Sequence, residues 1–408
     1  MLLQELNPDA PCLPEHTAKR IVEYGENRLQ KSGVQAFVSI SSSSSTTTNV
    51  LIRIDEISVS ELLGQGSFST VYQLANQKDR VVKVLKPKLL KKPALFAGCA
   101  ADLVREGILL SHLSHPNLLK CYAMGTLAEF SNGRHDSCAL LLERLDITLK
   151  DKLTEWRNKA RIILSNPSMP TSPSVQDVLF VLSGTRHRRL RQTLLQRTDV
   201  LCQLADAIHF LHAHGIMHRD LKPDNIGFVG STLKVFDLDV CRILPKGANH
   251  SDDLFQFTKH VGSPRYMAPE VARGERYNSK ADIYAFGLLA FEVLSLQKAY
   301  HDIPSGMMDA KVFYQGARPC CPSQWPQAVT LLITNCWAES IEQRPTMSQV
   351  VEELRETLDR LCPRAVKKRQ REQRRKQQQQ ESSDKRLARE DSGRTYRSDT
   401  SLEAGAAQ

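Results

Sequence analysis

Apolar positions in this chain follow two rhythms. In the first third, short runs rich in branched and aromatic residues are bounded by polar ones: Ile57-Ser58-Val59, Val71-Tyr72-Gln73-Leu74 and Val81-Val82-Lys83-Val84-Leu85. Runs of this length and composition predict β-strands. Past residue 200 the spacing becomes helical. Leu201-Cys202-Gln203-Leu204-Ala205-Asp206-Ala207-Ile208-His209-Phe210-Leu211 has the repeat of an amphipathic helix. The most apolar stretch, around 281–296, is interrupted by Asp282 and Glu292 and is too short and polar to span a bilayer.

Chemistry-bearing residues sit between and after these runs. Leu63-Gly64-Gln65-Gly66-Ser67-Phe68-Ser69-Thr70-Val71 lies between the first two strand-like runs. Its glycines let a hairpin backbone come close to phosphates, although Gly-x-Gly also marks plain turns. Lys83 is a single cation among branched apolar residues. If buried it needs a partner; on a solvated strand face it needs none. Residues 218–225 read His218-Arg219-Asp220-Leu221-Lys222-Pro223-Asp224-Asn225, and twelve residues past Asn225 stands Val235-Phe236-Asp237-Leu238-Asp239.

The octet at 218–225 is similar to the catalytic-loop signature of the eukaryotic protein kinases. Companion segments resemble the same family in order. They include Leu113-Ser114-His115-Pro116-Asn117-Leu118-Leu119, Gly262-Ser263-Pro264-Arg265-Tyr266-Met267-Ala268-Pro269-Glu270 and Lys280-Ala281-Asp282-Ile283-Tyr284-Ala285-Phe286-Gly287. Gly316-Ala317-Arg318-Pro319 and Cys336-Trp337 with Arg344-Pro345-Thr346 complete the set. The resemblance covers roughly residues 57–361. It implies an α+β, two-lobed protein kinase fold: a small β-rich lobe with one main helix, and a larger, mainly helical lobe. Lys222 resembles the Ser/Thr kinases, and the segments at 265–270, 336–337 and 344–346 look like their tyrosine-kinase-like branch.

The same resemblance implies a reaction and its parts: ATP-dependent phosphorylation of Ser/Thr hydroxyls on protein substrates, with ATP and Mg²⁺ as cofactors. Phosphoryl transfer needs positioning and charge stabilisation more than covalent help. Asp220 is then the acceptor of the hydroxyl proton, Lys222 reaches the transferring phosphate, and Asn225 and Asp237 bind Mg²⁺. Leu63, Gly64, Gln65, Gly66, Ser67, Phe68, Ser69, Thr70 and Val71 cover the nucleotide. Lys83 pairs with Glu106, carried by Val104-Arg105-Glu106-Gly107-Ile108-Leu109-Leu110. The strand Ala139-Leu140-Leu141-Leu142 leads into a hinge at Glu143-Arg144-Leu145, where Glu143 and Leu145 meet the adenine edge. Glu270 pairs with Arg344. Arg219 resembles the arginine that receives an activation-segment phosphate, with Thr258 and Ser251 as candidate acceptors, and Ser263 resembles the hydroxyl that contacts the catalytic loop.

Two positions depart from the family pattern. Ser69 stands for the third glycine of the loop, and Asp-Leu-Asp stands at 237–239 for Asp-Phe-Gly. Asp239 removes glycine's backbone freedom and adds charge near the metal. The alternative reading is therefore a pseudokinase, a binding scaffold with a weakened metal site.

Composition adds bounds. The chain has 408 residues, 41% hydrophobic and 25% charged, enough for one catalytic domain with tails. Its ten cysteines form no CxxC pair, which favours a reducing compartment over zinc or a disulfide frame. No signal peptide is visible at the N-terminus. Residues 1–56 read as an N-terminal extension, with a short helix near 15–30 and a Ser/Thr-rich linker at 39–48. Residues 57–361 read as the kinase domain, with an insertion at about 155–195. Residues 362–408 read as a disordered tail too poor in apolar residues to pack. From Arg364 onward there are 13 Lys and Arg against 7 Asp and Glu, a net +6 of the chain's +10. Such basic runs bind import machinery or acidic partners, or simply solubilise. Aromatic interleaving is nearly absent, so no specific nucleic-acid binding is expected. The expected location is cytoplasmic, with the nucleus as the second possibility.

Overall fold

The computed structural model describes residues 57–125, 139–164, 188–245, 247, 252–323 and 325–361, and seven positions between 19 and 30, all helical. The chain divides into two units, residues 1–354 and 355–408. In the second, residues 355–361 complete a helix that carries an exposed Arg360–Glu356 pair at 2.8 Å. The expected linker at 39–48 and basic tail lie outside the described residues.

Within the first unit the β-rich part is an antiparallel five-stranded sheet. Its strands are β1 (Val59–Gln65), β2 (Ser69–Leu74), β3 (Arg80–Leu85), β4 (Cys121–Met124) and β5 (Ala139–Glu143), in the order β1-β2-β3-β5-β4. Strand period places Val82 and Val84 on one face, packed with Val59, Leu74 and Ala139. Lys83 points to the other face, towards helix α1 (Pro93–His112). Proline sits in the first turn of α1, where its missing N–H costs nothing. Ile57 packs against the sheet, but the first strand begins at Val59 and runs on through Gly64. The glycine-rich turn is therefore tighter than the sequence suggests.

The helical part begins after β6 (Ile147–Thr148). It contains α2 (Leu149–Leu164), α3 (Arg188–Ala213), α4 (Pro269–Arg273), α5 (Lys280–Ser295) and α6 (Gln327–Cys336), with α7 (Met347–Leu361) running into the second unit. Short strands β7 (Ile216–Met217) and β10 (Arg242–Ile243) pair with each other, and β8 (Ile226–Val229) lies between β6 and β9 (Thr232–Val235). Every residue of α5 is buried, so the apolar stretch at 281–296 is a core helix. Asp282 and Glu292 interrupt it because each has work at its position, described below.

The insertion expected at about 155–195 begins and ends in helices of the structure. Leu149, Leu153 and Trp156, one helical face, are all buried, and α2 continues to Leu164; α3 already starts at Arg188. Residues 165–187 lie outside the described residues. Among the described residues, no helix is long and apolar enough to cross a membrane.

Candidate active site

The sheet and α1 bring three chemistry-bearing residues together. Lys83 Nζ lies 2.7 Å from Glu106 and 2.9 Å from Asp237. Burial opposes the charge on Lys83, but these two carboxylates outweigh it and hold its pKa above the ordinary lysine value. They do not share it equally. Glu106, 1% exposed, is pushed up by burial despite the lysine, whereas Lys83 overcomes burial at Asp237 and holds that carboxyl below its usual value. The deficit falls on the more deeply buried acid, which also accepts the N–H of Leu238.

Asp237 has φ of 67°, a left-handed backbone that few non-glycine residues adopt. Asp239 does not share it, so the glycine of the family pattern is not required there by φ. Leu238, where the family pattern has Phe, is fully buried. Burial, and then the carboxylates of Asp237 and Glu106, push the Asp239 acid up to about 7. Cys241, two residues further on, is 1% exposed, and burial pushes its thiol up to about 12.

The catalytic-loop residues converge on Asp220. Its Oδ2 accepts from Lys222 Nζ at 2.5 Å and from Asn225 Nδ2 at 3.0 Å. Its Oδ1 accepts from the backbone N–H of Ser263 at 2.8 Å and from the Ser263 hydroxyl at 2.9 Å. Charge-assisted bonds of this kind fix a carboxylate's direction. Gly262, at φ 91°, makes that approach possible: a Cβ there would lie 2.3 Å from the carbonyl oxygen of Arg219. Asp282 of α5 braces the loop from below. It accepts the backbone N–H groups of His218 and Arg219, both at 2.8 Å, and its Oδ2 lies 2.8 Å from His212 Nε2. Burial alone would raise its acid; the His212 contact and the other donors hold it below the usual range. His218 Nε2 faces the carbonyl of Phe236 at 3.2 Å, joining this loop to the segment that carries Asp237.

The remaining expected residues lie on the β1–β2 hairpin and at the end of β5, and Thr70 does not face the side of Lys83 as expected. Val71 is the register partner of Lys83, so it shares the cleft-facing side of the sheet, whereas Thr70 pairs with Val84 on the opposite face and is buried. Gly64 and Gln65 end β1, Ser69 starts β2, and Gly66-Ser67-Phe68 make the turn, closed by Gly66 N–H to Ser69 carbonyl at 2.9 Å. Leu63 and Phe68 are exposed. Glu143 ends β5. Its N–H bonds the Lys120 carbonyl at 2.9 Å, and its carboxylate pairs with Lys234 at 3.0 Å. Leu145 lies against Gly227 of β8, where a Cβ would sit 2.7 Å from its side chain. Below the cleft, Arg344 and Glu270 form a buried two-pronged pair at 2.7 and 2.8 Å, as expected.

Several residues of the site were not singled out in the sequence. Lys86 pins the turn tip, its backbone N–H bonded to Phe68 and its ammonium to the carbonyl of Gly66. Arg105, beside Glu106, donates to the carbonyl of Asp239. Tyr277 joins Arg219 to Thr258. Arg105 is the one Lys or Arg of α1 and stands next to Glu106, which was the available signal for it; Lys86 and Tyr277 carry none. Thr258 is exposed, and Ser251 lies outside the described residues.

A lysine bridging two acids, above a braced aspartate, an asparagine and a glycine-bearing hairpin, defines a phosphotransferase cleft of the protein kinase type. Residues 57–354 match the protein kinase domain family, and the chain belongs to that family. It is 24% identical over 311 residues to a probable serine/threonine-protein kinase of Dictyostelium discoideum, covering 76% of this chain and 29% of that one. It is 26% identical over 313 residues to the dual specificity protein kinase shkA of the same organism, covering 75% and 50%. A putative serine/threonine-protein kinase/receptor of Acanthamoeba polyphaga mimivirus is 28% identical over 308 residues, covering 74% and 16%. The chain thus spans half or less of the length of these relatives.

Proposed function

We propose that this chain transfers the terminal phosphoryl group of ATP to Ser and Thr hydroxyls of protein substrates. The observation that carries the reading is Lys83 held by Glu106 and Asp237 together, above an Asp220 whose direction is fixed from both sides. Lys83 keeps its charge for the phosphates. Lys222, beside Asp220, is near enough to meet the transferring group, and Asp220 takes the proton as the substrate oxygen forms its bond to phosphorus and ADP leaves. Asp237 and Asn225 offer a carboxylate and an amide oxygen, a donor set that suits Mg²⁺ carried on phosphates. Among the described residues no group of three or more His, Cys, Asp or Glu is arranged to hold a metal. When bound, Mg²⁺ supplies positive charge to the polyphosphate. The hinge at Glu143 and Leu145 and the loop from Leu63 to Val71 would hold the nucleotide's base and phosphates.

A binding scaffold is the weaker reading, because Lys83, Asp220, Asn225 and Asp237 are all in place. The tyrosine-kinase-like branch, a cytoplasmic or nuclear location, and a tail that meets import machinery or acidic partners remain part of the proposal. The test is transfer from radiolabelled ATP with Mg²⁺ to the chain itself and to a generic protein substrate, followed by phosphoamino-acid analysis. Label on Ser and Thr supports the reading. Label on Tyr as well would make the chain dual-specific, and no label at any Mg²⁺ or Mn²⁺ concentration would favour the scaffold.

A further inference from the structure

Helix α1 grips three consecutive residues of the segment that carries Asp237. Asp237 is held through Lys83, which also binds Glu106 of α1. Leu238 gives its N–H to the Glu106 carboxylate. Asp239 offers its carbonyl to the guanidinium of Arg105, the residue just before Glu106. Arg105 is 8% exposed, and its guanidinium reaches Asp102, one turn back, at 3.3 Å. Its Nε is buried without a hydrogen-bond partner. Burying a guanidinium on so apolar a helix is costly, and here its charge is directed at a main-chain oxygen.

The segment needs holding. Asp237 is at φ 67°, a conformation that persists when its surroundings over-determine it. Lys83 and Glu106 hold the first two residues of the segment; Arg105 holds the carbonyl of the third. We propose that Arg105 is a positioning residue: by clamping the Asp239 carbonyl it keeps residues 237–239 docked on α1, so that Glu106 and Asp237 share Lys83. The clamp holds backbone and is indifferent to the side chain at 239, so an aspartate is accommodated where the family pattern has glycine. Its effect on turnover rests on the kinase reading; the docking does not.

Hydrogen–deuterium exchange on the full chain separates the two. Arg105→Met keeps the bulk and removes every donor; Arg105→Lys keeps a charge that can reach one partner at a time. Amides at 238–241 should exchange roughly tenfold faster in Arg105→Met, the effect of losing one charged donor, with little change in α5. Arg105→Lys should fall between the two proteins. In the transfer assay, Arg105→Met should lower kcat while KM for the substrate protein holds. Unchanged exchange at 238–241 would overturn the proposal. Equal acceleration in α5 would also overturn it, by making Arg105 a residue of general stability. Absence of transfer by the wild type would count against the kinase reading and leave the exchange result to judge the clamp.

Discussion

The hydroxyl of Tyr277 stands between Arg219 and Thr258. It accepts from Arg219 Nη1 at 3.1 Å and donates to the Thr258 carbonyl at 3.0 Å. Phe255 pairs with Tyr277 through two backbone hydrogen bonds of 3.0 Å, and Phe257 packs edge-on against the Tyr277 ring, with centroids 5.4 Å apart. Residues 255–258 are thus held by a phenol that touches the arginine expected to receive a phosphate. Tyr277→Phe should lower turnover of the unphosphorylated protein about tenfold, the scale of one buried hydrogen bond to a charged group. It should also speed proteolysis between 252 and 260. Unchanged turnover and cleavage would mean that the phenol is incidental.

Asp220→Asn should abolish transfer while nucleotide affinity stays near that of the wild type, because the proposed role of Asp220 is toward the hydroxyl proton. Parallel loss of ATP binding, measured by calorimetry, would contradict that role. Lys83→Met should also abolish transfer, and combining it with a Glu106 substitution should cost little more than either alone, since paired residues are non-additive.

The Arg344–Glu270 pair is buried on both sides, at 0% and 2% side-chain exposure. Arg344→Met strands a carboxylate in the interior and should cost about 3–5 kcal/mol of stability. Urea unfolding of both proteins measures this; a loss under about 1 kcal/mol would place the pair with weak surface bridges.

Glu292 tests pH dependence away from the cleft. It is 2% exposed, and burial raises its pKa, although the Ala299 N–H, the Tyr266 hydroxyl, Arg157 and Arg265 all favour its charged form. A folded pKa above the unfolded one means that the folded chain binds more protons in that window. The group's contribution is therefore full below the unfolded pKa and falls as pH rises through the folded one. Glu292→Gln removes this slope, so its stability relative to wild type should improve from pH 4 to pH 8. The same difference at both ends would show that the carboxyl does not titrate as described.

Asp239→Gly should leave transfer equal to or higher than wild type. Asp239 is not in the left-handed region, its carbonyl is what Arg105 holds, and its acid lies beside two other carboxylates. A strong loss at saturating Mg²⁺ would instead make the side chain a contributor to the metal site.

Residues expected to act on phosphates or protons were legible, because that chemistry ties them to fixed types at fixed spacing. Lys83, Glu106, Asp220, Asn225 and Asp237 could be named, and the structure joins the first with Glu106 and Asp237, and Asp220 with Asn225. Residues that act on main-chain oxygens were not. Lys86, Arg105 and Tyr277 each donate to a carbonyl, and every residue offers a carbonyl, so the partner leaves no mark in the sequence. Leu145 was placed in the hinge, but its packing on Gly227 depends on a strand some eighty residues later.

Cys241 turns the docking of this segment into something a reagent can time. Its thiol is buried and burial pushes its pKa up, so alkylation there must wait for opening. The labelling rate of that cysteine, followed peptide by peptide, is a stopwatch already written into the chain.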